Sequence, residues 1–171
     1  MSNAPRRMAL IGMGPTADRY PGPDGFAFVV GARAAVSRWR CGIWVFNDWA
    51  VPTEVEPIGN PVPFAKTVIL EKLRDRNPAA HAAFCARHEP SIRQEAFSPP
   101  VHRWNAWSGP PGLVLAKLFG MDEIYAYGID MVGAGDCAGC VSASRTEDRW
   151  RDERAVWTAL VEWIGIPVVR G

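Results

Sequence analysis

Short, nearly continuous apolar runs recur along this chain, and stretches of helical character separate them. The runs lie at residues 8–12, 26–30, 42–46, 67–70, 123–128 and 166–169. A strand that helices cover on both faces has this unbroken apolar pattern, whereas a strand with one face in water alternates apolar and polar residues. The pattern therefore predicts an α/β fold with a mainly parallel sheet of about six strands and helices on both faces.

Three stretches between the runs are predicted helices, at residues 78–88, 111–119 and 146–163. The third has the clearest pattern, because Trp150, Trp157 and Leu160 line one side while charged residues fill the other. Two stretches are predicted loops, at residues 51–65 and 89–107. Since neither loop resembles a domain linker, the 171 residues are predicted to form one three-layer, Rossmann-like domain over residues 1–171.

Composition excludes several classes of partner. The formal net charge of +1 provides no broad field that would recruit nucleic acid or an acidic membrane surface. Arg149, Arg151 and Arg154 are interpreted as part of a solvated helix face, because charges of both signs surround them. The chain lacks a membrane-length apolar run, a secretory signal and a dense cysteine pattern, so we expect a cytoplasmic protein. Its eight tryptophans leave room for the hydrophobic interface of a homo-oligomer.

A glycine-rich turn, Gly12-Met-Gly-Pro-Thr16, directly follows the first predicted strand. Such a turn lets backbone N–H groups approach an anionic ligand, and the terminus of a following helix favours negative charge. The turn lacks the third glycine of the dinucleotide fingerprint, and no Gly-Lys-Ser/Thr sequence of a Walker-type phosphate loop follows it. We therefore predict ligand contact at Gly12, Gly14, Pro15 and Thr16, with a generic turn as the alternative.

Polar residues also stand at the ends of other predicted elements. Asn47 and Asp48 close the third predicted strand, where they suit a ribose, a base or a sugar, or else form a capping turn. Ser108 and Gly109 precede a predicted helix and can present a hydroxyl and amides to a ligand. Asp130 lies just beyond the fifth predicted strand. Ligands of open α/β sheets bind at the carboxyl ends of strands, so we predict a common site there.

Together these motifs resemble the Rossmann-like glycosyltransferase superfamily of bacterial lipooligosaccharide sialyltransferases and motility accessory factors, which includes uncharacterised phage and prophage members. The similarity covers residues 8–131, and the matching positions are Gly12, Gly14, Pro15, Thr16, Asp48, Ser108, Gly109, Ala116, Gly120, Ile124, Tyr125, Gly128, Ile129 and Asp130. The resemblance implies that residues 12–16 contact the phosphate or ribose of a nucleotide. It also implies that Asn47 lies near the nucleotide or donor sugar, and that Ser108 and Gly109 lie near the base.

The chain departs from that family at three points. Met13 stands where the sialyltransferases have asparagine between the two glycines. Those enzymes place a catalytic histidine beyond the Gly-Ile-Asp strand, whereas the histidines of this chain are His81, His88 and His102. No segment after Asp130 matches the small lid domain that receives the acceptor sugar. The nucleotide-binding half of the resemblance is therefore better supported than the transferase half.

The catalytic candidates are His102 and Asp130. His102 precedes the Ser-Gly motif and suits a general base, since histidine titrates near neutral pH; the alternative is a loop histidine bonded to backbone. Arg103 and Arg145 suit phosphate contacts or serve as surface charges. The set Cys85, His88, Cys137 and Cys140 leaves three alternatives open, namely a zinc site, a redox pair and ordinary thiols.

The leading functional hypothesis is a protein that binds a nucleotide or nucleotide sugar and transfers the sugar by a metal-independent mechanism, since no Asp-x-Asp element is present. The first alternative is a non-catalytic binder of a nucleotide-derived signal, or a partner subunit. The second is hydrolysis of a nucleoside or nucleotide with Asp48 or Asp130 as the base. No cofactor other than this small-molecule ligand is predicted.

Overall fold

A computed structural model describes residues 4–55, 66–69, 71–88, 92–93, 98–136, 139, 141, 143 and 145–171. Within them, seven strands form one parallel sheet: β1 Arg7–Ile11, β2 Phe28–Ala32, β3 Ile43–Phe46, β4 Lys66–Ile69, β5 Ile92–Arg93, β6 Glu123–Tyr127 and β7 Val168–Arg170. The predicted α/β class and parallel sheet are confirmed. The two-residue β5 lies inside a predicted loop, where its shortness left no apolar run to recognise.

Five α-helices accompany the strands in the described part of the chain: α1 Ala50–Val55, α2 Glu71–Arg76, α3 Pro78–His88, α4 Pro110–Leu118 and α5 Glu147–Ile164. Two short 3-10 helices, Pro15–Arg19 and Arg33–Ser37, follow β1 and β2. The three predicted helices correspond to α3, α4 and α5, within one residue at each end. Helix α1 begins one residue before the predicted loop 51–65 and includes its first five residues; residues 56–65 lie outside the described part of the chain. None of the helices described here combines the length and the apolar character that a membrane crossing requires.

The order of strands in the sheet is β5-β4-β3-β2-β1-β6-β7. From β1 the chain proceeds strand by strand toward one edge, and it then returns to place β6 on the other side of β1. Met8 of β1 pairs with Phe28 of β2 and with Ile124 of β6. The direction of winding therefore reverses between β1 and β6. In open α/β sheets a crevice opens at the carboxyl ends of two such strands, and ligands bind there.

Two hydrophobic clusters cover the two faces of the sheet. Successive side chains of β1 point to opposite faces of the sheet, so Leu10 belongs to one cluster and Ile11 to the other. On the first face, Leu113 of α4 and Trp157 of α5 pack against the sheet. On the second face, the covering residues are Val51, Val55, Leu73 and Phe84 of α1, α2 and α3. Since helices cover both faces, β2 and β3 are apolar throughout and β1 is apolar from Met8 onward, which explains the unbroken apolar runs.

Helix α5 is fixed at both ends. Its N-cap Thr146 accepts a hydrogen bond from the N–H of Arg149, and Gly165 ends the helix with a left-handed φ of 66°. Lys117 of α4 donates to the carbonyl oxygens of Trp163 (2.9 Å) and Ile164 (3.3 Å), which neutralises the partial negative charge of the helix end. Lys117 therefore fastens the C-terminal end of α5 to α4.

Candidate functional site

The loops that follow β1 and β6 are joined through their backbones. The N–H of Gly12 donates to the carbonyl oxygen of Tyr127, and that of Gly14 donates to the oxygen of Gly128, both at 2.8 Å. Gly128 has a φ of 66°, and a Cβ atom there would lie 2.7 Å from the Cβ of Ala17 and 2.9 Å from the backbone of Gly12. Glycine is therefore required at this junction so that one loop can approach the other.

Thr16 and Asp130 strengthen the same junction. The hydroxyl of Thr16 donates to Oδ1 of Asp130 (2.6 Å), and the backbone N–H of Thr16 donates to Oδ2 (3.0 Å). The same hydroxyl oxygen accepts the N–H of Gly128 at 2.9 Å. The amides of Gly12, Gly14 and Thr16 thus donate to oxygens of the protein itself. Contact of residues 12–16 with a phosphate stays a prediction, and in this structure the turn serves as the floor of a cavity.

That cavity has a volume of about 510 Å³ and opens at the carboxyl edge of the sheet, where the winding reverses. The predicted site residues that line it are Gly12, Gly14, Asn47, Asp48, Ser108, Gly109 and Asp130. Pro15, Thr16 and His102 are not part of the lining. The structure therefore gathers most of the predicted positions, from four separate segments of the chain, around one space.

A side-chain hydrogen bond links the end of β3 to the segment before α4. Ser108 Oγ donates to Asn47 Oδ1 at 2.9 Å, and Asn47 Nδ2 donates to the carbonyl oxygen of Ala106. Asp48 is exposed, and its Oδ1 accepts the N–H of Ala50 at 2.9 Å in the first turn of α1. The capping turn that was the alternative for Asp48 is thus present, although Asp48 also lines the cavity.

Three arginines contribute to the lining: Arg33 after β2, Arg145 before α5 and Arg149 within α5. Arg145 forms a buried ion pair with Asp136 at 3.2 Å, the two side chains being 10% and 8% exposed. Burial lowers the pKa of Arg149. Arg149 was predicted to lie on a solvated helix face, and that prediction is wrong. The first turn of α5 faces the cavity at this point, so a polar position of the helix pattern is partly buried.

The loop of residues 131–136 forms part of the cavity wall and is bound to α5 through its carbonyl oxygens. Trp150 Nε1 donates to Gly133 O, and Arg154 Nη1 donates to Met131 O, each at 2.9 Å. Arg145 Nη1 reaches Ala134 O at 3.4 Å. Two side chains of α5 and that of Arg145, two residues before the helix, therefore hold this segment in place.

Glu153 is the functional candidate that the sequence interpretation missed. Its side chain lines the cavity and is only 6% exposed, and its Oε2 atom has no hydrogen-bond partner among the described residues. Burial raises the pKa of Glu153 to about 7, against the opposing effect of the Arg149 charge. A signal was available in the sequence, because Glu153 lies on the apolar stripe of α5 between Trp150 and Trp157.

The remaining candidates lie elsewhere. His102 is exposed, and its role as a base stays a prediction. Arg103 lies 5.1 Å from the Trp107 ring centroid and pairs with Asp152. Of the proposed zinc ligands, Cys137 and Cys140 lie outside the described residues, and Cys85 Sγ is 3.6 Å from Nε2 of His81. Across the described ranges, no cluster of three or more His, Cys, Asp and Glu side chains has an arrangement that suits a metal ion.

Comparison of the chain with protein-family models, curated proteins and solved structures finds no match. The functional argument therefore depends on the geometry of the cavity. Its lining combines three cationic side chains, a buried carboxyl group and two tryptophans, Trp107 and Trp150. Such a surface can bind an anion at one part and stack against a flat or apolar group at another.

We predict that Gly128→Ala destabilises the fold, because the added Cβ meets Ala17 and the backbone of Gly12. The loss should be about 3 kcal/mol, from a left-handed backbone at roughly 1 kcal/mol and overpacking at roughly 1–3 kcal/mol. Gly133→Ala is the matched control, since its φ of 67° is similar and no atom lies within 4 Å of its Cβ position. Urea unfolding measures both. Equal losses would show that the close approach of the loops is unimportant.

A second prediction concerns the pH dependence of stability. Burial raises the pKa of Glu153 to about 7 in the folded chain, whereas the usual pKa of glutamate is 4.5. The folded chain therefore holds a proton that the unfolded chain releases, and the free energy of unfolding falls as pH rises between these two values. Glu153→Gln should remove up to about 3 kcal/mol of this loss, visible as stabilisation relative to wild type at pH 8 but not at pH 4.5. Glu162→Gln, at an exposed position of α5, is the control. Parallel unfolding curves at both pH values would contradict the prediction.

Proposed function

We propose that this protein binds a nucleotide or nucleotide sugar in the cavity at the carboxyl ends of β1 and β6. The observation that carries the proposal is the convergence of Arg33, Arg145 and Arg149 on that cavity. Guanidinium groups present several N–H donors in a planar fork that matches phosphate oxygens. The ion pair of Arg145 with Asp136 is buried, so we assign Arg145 a supporting role. We assign the phosphate contacts to Arg33, whose ion pair with Glu54 (3.6 Å) is exposed to solvent, and to Arg149.

The position and size of the cavity support the same ligand class. It lies where the direction of winding reverses, which is the usual ligand position in open α/β sheets. Its volume of about 510 Å³ falls within the range of roughly 300–1,000 Å³ for small-molecule sites. Trp107 and Trp150 give the lining aromatic surface on which a base or sugar ring can pack.

Backbone conformation adds an independent argument. Non-glycine residues with positive φ among those described are Arg33 (55°), Arg103 (58°) and Met131 (53°). Arg33 and Met131 line the cavity, and Arg103 contacts the lining residue Trp107. A left-handed backbone conformation costs free energy at non-glycine residues. Such residues are found mainly at functional sites, where the surrounding structure stabilises the conformation.

The resemblance to glycosyltransferases supports a nucleotide or nucleotide sugar over other anions, and sugar transfer without a metal is the catalytic form of the proposal. Two placements favour the alternative, a binder without turnover or a partner subunit. His102 is exposed and outside the lining. Both oxygens of Asp130 already accept hydrogen bonds from Thr16. A cytoplasmic location and a homo-oligomeric state stay predictions from the sequence.

The binding proposal predicts a rise in thermal stability with nucleoside monophosphates or nucleotide sugars. A probe at 100 times its Kd adds about 2.7 kcal/mol of stability. Arg149→Gln should weaken binding about tenfold or more, since a hydrogen bond to a charged group contributes roughly 1.5–3 kcal/mol. The matched control is Arg151→Gln, which replaces an exposed arginine of the same helix and should leave the Kd unchanged. The absence of any stabilisation, or equal losses in the two variants, would contradict the proposal.

Turnover is tested separately with each nucleotide sugar that binds. The assay follows release of free nucleotide by chromatography over hours, with the sugar passing to water or to an added acceptor sugar. Release is expected for a transferase or hydrolase and not for a binder. His102→Ala distinguishes the proposed base: a rate reduced by about 100-fold would support general-base catalysis by His102. An unchanged rate would remove His102 from the mechanism. Recovery of intact nucleotide sugar with saturated protein would favour the binder.

A further inference from the structure

Glu153 combines burial, position and an unused hydrogen-bonding atom. Its side chain is 6% exposed and lines the cavity, yet no donor in the described structure reaches Oε2. Burial of a carboxyl group without partners costs several kcal/mol, so native proteins rarely retain one without compensation. A buried polar atom that the protein leaves unsatisfied on a cavity wall indicates that a ligand supplies the missing partner.

We propose that Glu153 is the specificity-determining residue of the cavity, where its carboxylate accepts hydrogen bonds from two adjacent donor groups on the bound ligand. This inference rests on the proposed function, because it concerns which nucleotide ligand the cavity takes. It assigns to Glu153 a role distinct from that of the arginines, which bind an anion and do not distinguish one base or sugar from another.

The surroundings of Glu153 separate this role from phosphate binding. A Cβ atom placed on Gly109 would lie 3.8 Å from Glu153 Oε1 and 3.4 Å from Ile129 Cδ1, so the carboxyl group adjoins the start of α4 and an apolar side chain. The charged residues lining the same cavity are Arg33, Asp48, Asp130, Arg145 and Arg149. Of these, Arg149 acts on the Glu153 carboxyl and favours its ionised form. An ionised carboxylate repels phosphate and only accepts hydrogen bonds.

Two parts of a nucleotide carry adjacent donors. Guanine has its ring N–H beside its exocyclic amino group, whereas adenine and cytosine place an acceptor nitrogen beside the amino group. A ribose or hexose carries vicinal hydroxyls. The shared chemistry is a pair of donors spaced to meet the two oxygens of one carboxylate. If guanine supplies the two donors, Glu153 strengthens the binding of one base only. If a sugar diol supplies them, Glu153 strengthens the binding of all nucleotides regardless of the base.

The test measures the Kd of the four 5′-ribonucleoside monophosphates by calorimetry with wild type, Glu153→Gln and Glu162→Gln. The control substitution changes an exposed glutamate of the same helix. We expect at least a tenfold loss in Glu153→Gln and none in Glu162→Gln. A loss for guanosine monophosphate alone identifies the base as the donor pair, and an equal loss for all four identifies the diol. A loss confined to adenosine, cytidine or uridine monophosphate, or no loss, overturns the inference.

The pH dependence of wild-type binding provides a second measurement that needs no stable Glu153 variant. Only the ionised carboxyl accepts both bonds, so the Kd should fall by up to about tenfold between pH 6 and pH 8. Inorganic phosphate is the control, since the pH dependence of its Kd reports how phosphate ionisation alone affects binding. A Kd that rises with pH, relative to phosphate, overturns the inference. If neither a nucleoside monophosphate nor a nucleotide sugar binds wild type, this inference and the proposed function both fail. If Glu153→Gln binds as wild type does, the inference alone fails.

Discussion

The architecture of the candidate site depends on the backbone contact between the loops after β1 and β6. Gly12 and Gly14 donate to carbonyl oxygens of the β6 loop, which brings the carboxyl ends of two neighbouring strands together where the winding reverses. Thr16 and Asp130 then lock the contact through side-chain hydrogen bonds. The cavity above this junction exists because the strand ends close beneath it and helix α5 closes it from the side.

Much of this arrangement could be predicted from the sequence. The unbroken apolar runs indicated a sheet covered on both faces, and the carboxyl ends of parallel strands share one edge, which placed Gly12, Asn47 and Asp130 together. The partner of the glycine turn could not be predicted. Thr16 and Asp130 are separated by 114 residues, and a local glycine pattern is the same whether the group that approaches is a phosphate or another strand's backbone.

Helix α5 shows a second limit of sequence patterns. Its periodicity correctly predicted an amphipathic helix, but periodicity divides a helix into a buried face and a solvated face only. Arg149 and Glu153 belong to a third environment, the wall of a cavity, where polar side chains are withdrawn from bulk water. A charged residue on the apolar stripe is the sequence signal for that environment, and Glu153 carries it. Short β5 gave no comparable signal, since two residues define no period.

The attachment of residues 131–136 to α5 has a consequence for the thermodynamics of association. Trp150 and Arg154 fix the carbonyl groups of this segment, and Arg145 joins Ala134 and Asp136. The conformational entropy of residues 131–136 is therefore lost during folding, and no further loss occurs when a ligand binds. Attraction between the wall and its occupant is then opposed mainly by the occupant's own loss of motion, which favours selectivity by shape over adaptation to many shapes.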